Sequence, residues 1–210
     1  MNLHQMPADQ FCELTASNAP APGGGSVSAL CGALAASLSA MVGNLTLGRK
    51  GHEEVQETMQ QAVCELESIR LALLKAIDED STSFNDFMAA MKLPKETDEE
   101  KTTRKAAMQA ALKKASLVPL NVARESAKIF DYAALMLESG NPNALTDAMV
   151  STLAARTATL GALLNVRINL GSIKDDAFVE STLIEVSSLE ALANHAEAKL
   201  LQKGYHLLNQ

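Results

Sequence analysis

The chain has 210 residues and a formal net charge of −7, and its composition is 47% hydrophobic but only 3% aromatic. This length is typical of one domain, which we predict over residues 1–210. A core that relies on Ala, Leu, Val and Met is typical of packed helices, so the predicted fold class is all-α. The acidic balance argues against a nucleic-acid binder, which needs a basic surface for phosphates.

The chain's start and its cysteines indicate the cellular setting. Met1–Gln10 has neither the positive charge nor the apolar run of a secretory signal, and we expect no stretch that spans a membrane or binds its surface. We therefore expect a cytoplasmic protein. Cys12, Cys31 and Cys64 are far apart and have no histidine at metal-ligand spacing. They are expected to be buried, reduced thiols, and no metal site is predicted.

Hydrophobic periodicity predicts a bundle of about six helices, the longer ones antiparallel. A short first helix over residues 8–16 is followed by Asn18–Ser26, where prolines and glycines exclude a regular helix. The second helix, ending near Leu47, carries large apolar residues on one face and small residues on another. This pattern predicts a helix that is buried all round.

The third predicted helix, from Glu53 to Met91, has the clearest pattern in the chain. Apolar residues at intervals of three and four form one seam, as in a bundle helix. The seam consists of Val55, Met59, Ala62, Leu66, Ile69, Leu73, Ala76, Phe84, Phe87 and Met91. Asp80 interrupts it. Asp78 lies on the opposite side of the helix, so the two carboxylates are not expected to share one cleft.

The remaining boundaries are predicted by local signals. Thr97 and Glu100 have the spacing of a capping box, Pro119 predicts a kink or break, and Gly140-Asn141-Pro142 predicts a stop followed by a new start. The last three helices are therefore predicted over residues 97–138, 141–170 and 174–202.

Asp80 is the first candidate for chemistry. A carboxylate on an apolar seam loses hydration, which raises its pKa unless cations or donors compensate. Such an aspartate suits proton transfer near neutral pH. The alternative is a structural ion pair with a lysine or arginine of a neighbouring helix.

The turn formed by Gly23, Gly24, Gly25 and Ser26 is the second candidate. Backbone N–H groups at the positive end of a helix suit a carboxylate or phosphate ligand. The turn lacks the lysine of a P-loop, so nucleotide binding is not expected. The alternative is a tight entry into a crowded helix.

Two further sets of polar residues are candidates for binding. Arg49 and Lys50, at the other end of the second helix, would either meet an anionic substrate tail or only cap that helix. Asp147, Asn165 and Asn169 fall on or near one face of the fifth helix. They would either line a pocket or form hydrogen bonds between helices.

A set of ordered segments carries a family resemblance over about residues 10–200. They include Pro22-Gly23-Gly24-Gly25-Ser26, Gly48-Arg49-Lys50, Asp78-Glu79-Asp80, Leu93-Pro94-Lys95, Val118-Pro119-Leu120, Asn165-Val166 and Asp176-Ala177-Phe178. In this order they resemble the formiminotetrahydrofolate cyclodeaminase and methenyltetrahydrofolate cyclohydrolase family.

The resemblance implies a helical homodimer that binds a tetrahydrofolate derivative near its subunit interface, without a metal. Our primary interpretation is a cyclodeaminase, which closes formimino-tetrahydrofolate to methenyl-tetrahydrofolate and releases ammonia, a reaction of histidine degradation. The alternative is a cyclohydrolase, which interconverts methenyl- and formyl-tetrahydrofolate with water. A non-catalytic helical adaptor is a distant alternative.

The resemblance also suggests roles for the candidate residues. Asp78-Glu79-Asp80 resembles the family segment that holds the catalytic aspartate, and the seam selects Asp80 as the inward residue. The other expected roles are the polar edges of the ligand for Ser26 and the glycine N–H groups, the glutamate tail for Arg49 and Lys50, and the pterin for Asn165 and Asn169.

Overall fold

The structure, a computed structural model, describes residues 2–210, so residue 1 of the predicted domain lies outside it. It contains six α-helices and, over the described residues, no strand, which confirms the all-α prediction. The helices are α1 (Ala8–Thr15), α2 (Gly24–Asn44), α3 (Gln56–Met91), α4 (Asp98–Ser139), α5 (Leu145–Leu170) and α6 (Asp176–Leu208).

Helix α2 is the centre of the bundle. It packs against α3, α4 and α5, and α6 packs on α4 and α5 from the other side. Small residues let the backbones approach closely: a Cβ atom at Gly32 would lie 2.6 Å from Ser126 Oγ of α4. The small face that the sequence predicted for α2 therefore contacts its neighbours.

Two expectations for α2 are corrected. The helix is not buried all round, because Leu34 is 54% exposed and Met41 is also exposed. Contrary to the sequence-based expectation, α2 is also long and apolar enough, by length and composition alone, to cross a membrane. More than half of its residues are buried in the bundle, which accounts for its apolar character.

The seam of α3 is confirmed for its first two-thirds. The seam residues from Met59 to Ala76 are buried, whereas Phe84 and Met91 are more than one-third exposed. The seam therefore leaves the core at Asp80 and continues along a more open surface. Its last turns are available to line a cavity.

Several helix boundaries follow local signals. The Thr97–Glu100 capping box is present, and the Asn141 side chain caps the turn that starts at Pro142, which confirms both predictions. Helix α6 continues beyond the predicted end to Leu208, and Gly204 in this added part packs closely against Met149 of α5.

The possible break at Pro119 and the expected burial of the cysteines are wrong. Helix α4 is continuous through Pro119, so of the predicted kink or break only the kink stays a prediction. The cysteines are not buried: Cys12 and Cys64 are exposed and Cys31 is half-buried, because they lie on outward faces of their helices.

Candidate active site

A cavity of about 330 Å³ lies where the N-terminal end of α2 meets α3, α4 and α5. The glycine turn and the last turns of the α3 seam form one side, and the C-terminal part of α5 forms the other. Six of the predicted site residues line it: Gly23, Gly24, Gly25, Asp80, Asn165 and Asn169. The structure thus brings the candidate proton-transfer residue and the candidate binding residues together.

Asp80 is held at the start of α2. Its Oδ2 atom accepts hydrogen bonds from the backbone N–H of Ser26, at 2.9 Å, and from Ser26 Oγ, at 3.0 Å. Burial raises the pKa of the Asp80 carboxyl above its ordinary value, and the two Ser26 donors oppose this effect. Oδ1 accepts no hydrogen bond from the described residues, so it is available to a ligand.

The surroundings of Asp80 argue against the structural ion-pair alternative. Asp80 forms no salt bridge within residues 2–210, and none of the described residues that line the cavity is Lys, Arg or His. The carboxyl therefore lies in a weakly polar cavity without a permanent counter-charge. Such an environment raises the pKa of a carboxyl group and suits it to proton transfer.

The glycine turn leaves room for the carboxylate of Asp80. A Cβ atom on Gly25 would lie 2.2 Å from Asp80 Oδ1, a distance that no side chain tolerates. At Gly24 a Cβ atom would lie 3.1 Å from Asn165 Nδ2, and at Gly23 it would meet nothing within 4 Å. The acidic group at this positive helix end is therefore the protein's own aspartate, and Gly25 is required for its approach.

Asn165 and Asn169 are fixed by hydrogen bonds to backbone carbonyls. Asn165 Nδ2 donates to Gly161 O at 2.9 Å, and Asn169 Nδ2 donates to Ala115 O at 2.7 Å. Each bond uses one of the two N–H donors of its amide, so each side chain keeps its Oδ1 acceptor and one N–H donor. The Oδ1 atoms therefore suit a ligand that presents N–H groups.

The bond from Asn169 also explains why α4 does not break at Pro119. Proline has no N–H group, so the carbonyl four residues earlier, that of Ala115, lacks its usual helical donor. Asn169 of α5 supplies a donor to this carbonyl from outside the helix. The proline thereby helps to orient a side chain of the cavity.

Four predicted site residues do not line the cavity. Ser26 is fully buried, and its N–H and hydroxyl donate to Asp80, so it does not meet the ligand as predicted. Arg49 and Lys50 follow the C-terminal end of α2, about 30 Å from the glycine turn for a helix of this length. Asp147 lies in the first turn of α5, about 27 Å along the helix from Asn165. Periodicity placed Asp147 on a helix face, and the helix boundaries placed Arg49 and Lys50 at the far end of α2, but the sequence did not show at which end of the bundle the cavity forms.

The cavity also contains residues that were not predicted as site residues. Phe84 and Phe87 line it, and their positions one and two turns after Asp80 on the same seam were a usable signal. Ser81 and Ile168 also line it. No local pattern distinguishes these two.

Within the described residues, no group of three or more His, Cys, Asp or Glu side chains is placed to hold a metal ion.

Comparisons with known proteins agree on one family. A sequence model described as formiminotransferase-cyclodeaminase matches residues 7–188. A methenyltetrahydrofolate cyclohydrolase from Methylorubrum extorquens is 39% identical over 194 residues, which cover 92% of this chain and 93% of that protein. The crystal structure of a formiminotetrahydrofolate cyclodeaminase from Thermotoga maritima superposes with a TM-score of 0.88 and 28% identity, covering 99% of this chain and all of that one.

Longer relatives match over only part of their length. The formimidoyltransferase-cyclodeaminase of Rattus norvegicus is 36% identical over 179 residues, which cover 85% of this chain but 33% of that protein. The chain thus spans about a third of these bifunctional relatives. With a family match over most of its residues, the chain belongs to the formiminotransferase-cyclodeaminase family.

Proposed function

We propose that the chain converts 5-formimino-tetrahydrofolate to 5,10-methenyl-tetrahydrofolate and ammonia. The observation that carries this proposal is Asp80, a carboxyl with a raised pKa on the wall of a cavity, with one oxygen held by Ser26 and the other available. The names of the relatives support the folate class, since they are cyclodeaminases or a cyclohydrolase acting at the same carbon.

The reaction needs a group that moves one proton between two nitrogens. N10 attacks the carbon of the protonated formimino group on N5, and the new N10–C bond gives a ring carbon that carries an amino group. Asp80 takes the proton from N10 and delivers it to this amino group, which leaves as ammonia with the electrons of its C–N bond. The methenyl cation remains, and the carboxylate returns to its starting state.

The cavity supplies positioning for this ring closure. The reacting nitrogen and carbon belong to one molecule, so a site that holds them in contact removes much of the entropic barrier. Phe84 and Phe87 offer apolar walls for the aromatic rings of the folate, and the Asn165 and Asn169 Oδ1 atoms offer acceptors for pterin N–H groups.

The decisive experiment compares Asp80→Asn with Asp78→Asn. Formation of methenyl-tetrahydrofolate is followed by its near-ultraviolet absorbance, and released ammonia is measured in parallel. Asp78 is a matched control on the same helix, because its carboxylate instead contacts Leu3 and His4 of the N-terminal segment. We expect Asp80→Asn to lower kcat by roughly 10²- to 10⁴-fold, the usual contribution of general acid–base catalysis, and Asp78→Asn to retain activity.

Equal activity of wild type and Asp80→Asn would refute the proposed role of the carboxyl. If the wild-type protein neither binds folate nor reacts with it, the interpretation as a non-catalytic adaptor replaces the interpretation as an enzyme.

A second candidate is methenyltetrahydrofolate cyclohydrolase activity. It is favoured by the 39% identity to the Methylorubrum extorquens enzyme over 93% of that protein. Here water adds to the methenyl carbon and Asp80 takes one of its protons. Asp80 returns this proton to N5 as the C–N5 bond breaks, and the remaining hydroxyl proton passes to solvent, which gives 10-formyl-tetrahydrofolate. Enzyme-dependent decay of added methenyl-tetrahydrofolate, without any product from the formimino substrate, would select this reaction.

We also propose that the protein forms a homodimer through the outer face of α2 and α5. This face exposes large apolar side chains, among them Leu34 at 54% and Leu164 at 68%. Residues Gly24–Asn44 include no charged side chain, so two copies can pair about a two-fold axis without like-charge repulsion along α2. Light scattering should give twice the monomer mass for the wild type and the monomer mass for Leu34→Glu.

The proposed dimer would also bear on the cavity. Ile168 is 75% exposed and lines the cavity, so the apolar face and the site are adjacent. A second copy on this face would shield the site from solvent.

We further propose that the protein acts in the cytoplasm and, as a cyclodeaminase, in histidine degradation.

A further inference from the structure

Ser81 carries a hydroxyl that the bundle leaves without a partner. It follows Asp80 on α3 and lines the cavity, and its Oγ atom is buried without a hydrogen bond to any described residue. A serine inside a helix usually donates its hydroxyl to the backbone carbonyl three or four residues earlier. For Ser81 these acceptors are Asp78 O and Ile77 O.

Both acceptors are already fully used. Ile77 O accepts the helical N–H of Ser81 and also the hydroxyl of Ser26, at 3.0 Å. Asp78 O accepts the helical N–H of Thr82 and also Thr82 Oγ, at 2.9 Å. A carbonyl oxygen has two lone pairs, so neither acceptor has one left for Ser81.

We propose that Ser81 is a substrate-binding residue whose hydroxyl donates a hydrogen bond to an acceptor atom of the bound folate. The inference rests on the proposed function of the cavity. A buried hydroxyl without a partner destabilises the fold, so a ligand acceptor within its reach gains the full benefit of pairing. Because Ser81 lines the cavity, a change of its χ1 rotamer can redirect the hydroxyl without any movement of the helix.

This assignment complements the two asparagines. Asn165 and Asn169 each present an Oδ1 acceptor, and one N–H donor of each amide is already bound, to Gly161 O and Ala115 O respectively. Ser81 adds a hydroxyl donor on the α3 side of the same cavity. The cavity would then offer hydrogen-bond acceptors to the ligand from α5 and a hydrogen-bond donor from α3.

The test is a comparison of Ser81→Ala with Ser83→Ala. Ser83 also lines the cavity, but its hydroxyl already donates to Asp80 O at 2.8 Å and is not available to a ligand. Binding of 5-formyl-tetrahydrofolate, an unreactive analogue of the formimino substrate, is measured by calorimetry. Urea unfolding of each ligand-free variant shows whether it is folded and how stable it is.

We expect Ser81→Ala to bind the analogue about three- to tenfold more weakly, the loss of one neutral hydrogen bond. Its urea midpoint should be unchanged or higher, because the substitution removes an unpaired hydroxyl. Ser83→Ala should bind within twofold of wild type. A purely structural role for Ser81 would change stability but not affinity, and this result would overturn the inference.

Equal weakening in both serine variants would also overturn it, since it would show a reshaped cavity in place of one lost bond. If the wild-type protein does not bind the analogue, the proposed function fails and the inference fails with it. Binding by wild type with undiminished binding by Ser81→Ala would overturn the inference alone.

Discussion

The three glycines before α2 allow a graded test of the site, by replacing each with alanine. At Gly25 the new Cβ atom would lie 2.2 Å from Asp80 Oδ1, about 1.2 Å closer than the 3.4 Å at which ordinary contact begins. At Gly24 the nearest atom is Asn165 Nδ2 at 3.1 Å, which needs a shift of a few tenths of an ångström. At Gly23 there is nothing within 4 Å, and its φ of −114° is open to alanine.

The expected losses follow these distances. In Gly25→Ala the carboxyl of Asp80 must move by about 1 Å, and a misplacement of this size costs roughly 100-fold in kcat. Gly24→Ala should stay within about threefold of wild type, because the end of the Asn165 side chain needs to move by only a few tenths of an ångström. Gly23→Ala should keep its activity and lose at most about 1 kcal/mol of stability, as alanine is a poor N-cap.

The assay is the initial rate of methenyl-tetrahydrofolate formation, with urea unfolding to show that each variant is folded. Wild-type activity in Gly25→Ala would refute the argument that Gly25 admits the carboxyl. Equal losses at all three positions would show that the turn matters only for helix entry.

Three further predictions concern buried polar groups, and urea unfolding tests each of them. Asn169→Ala should lower the free energy of unfolding by about 1–3 kcal/mol, because it leaves Ala115 O unpaired. In a Pro119→Ala background, where residue 119 again has an N–H group for this carbonyl, the loss should be smaller by at least about 1 kcal/mol; additive losses would refute the shared carbonyl. Because burial raises the Asp80 pKa, wild type loses stability relative to Asp80→Asn as pH rises from about 4 through that raised pKa; a constant difference would contradict the shift. Ser126→Ala should stabilise the protein by about 1 kcal/mol, since its buried Oγ has no partner among the described residues; a lower urea midpoint would reveal one.

The features predictable from sequence are those that one helix determines by itself. The α3 seam is a property of a single helix, so it identified Asp80 as an inward carboxylate before any neighbour was known. The Thr97–Glu100 capping box is likewise local, because its two hydrogen bonds lie within four residues. Such signals needed no knowledge of the packing.

The features that were missed depend on packing between helices. The absence of a break at Pro119 depends on a donor from Asn169, which is 50 residues away in the chain. Whether Arg49, Lys50 and Asp147 can reach the ligand depends on the end of the bundle at which the cavity forms. Periodicity fixes the face of a helix, but it contains no information about position along the axis relative to neighbouring helices.

The position of Asp80 connects the fold to the proposed chemistry. Burial on the α3 seam favours the neutral carboxyl, while the Ser26 donors and the positive end of α2 favour the carboxylate. A proton shuttle must accept and release a proton in every cycle, so neither form can be strongly preferred. An aspartate buried without donors would stay protonated, and one paired with arginine would stay ionised. Gly25 permits the close approach of α2 to Asp80 that brings the Ser26 donors to the buried carboxyl. The packing of α2 against α3 thereby balances the protonated and ionised forms of Asp80.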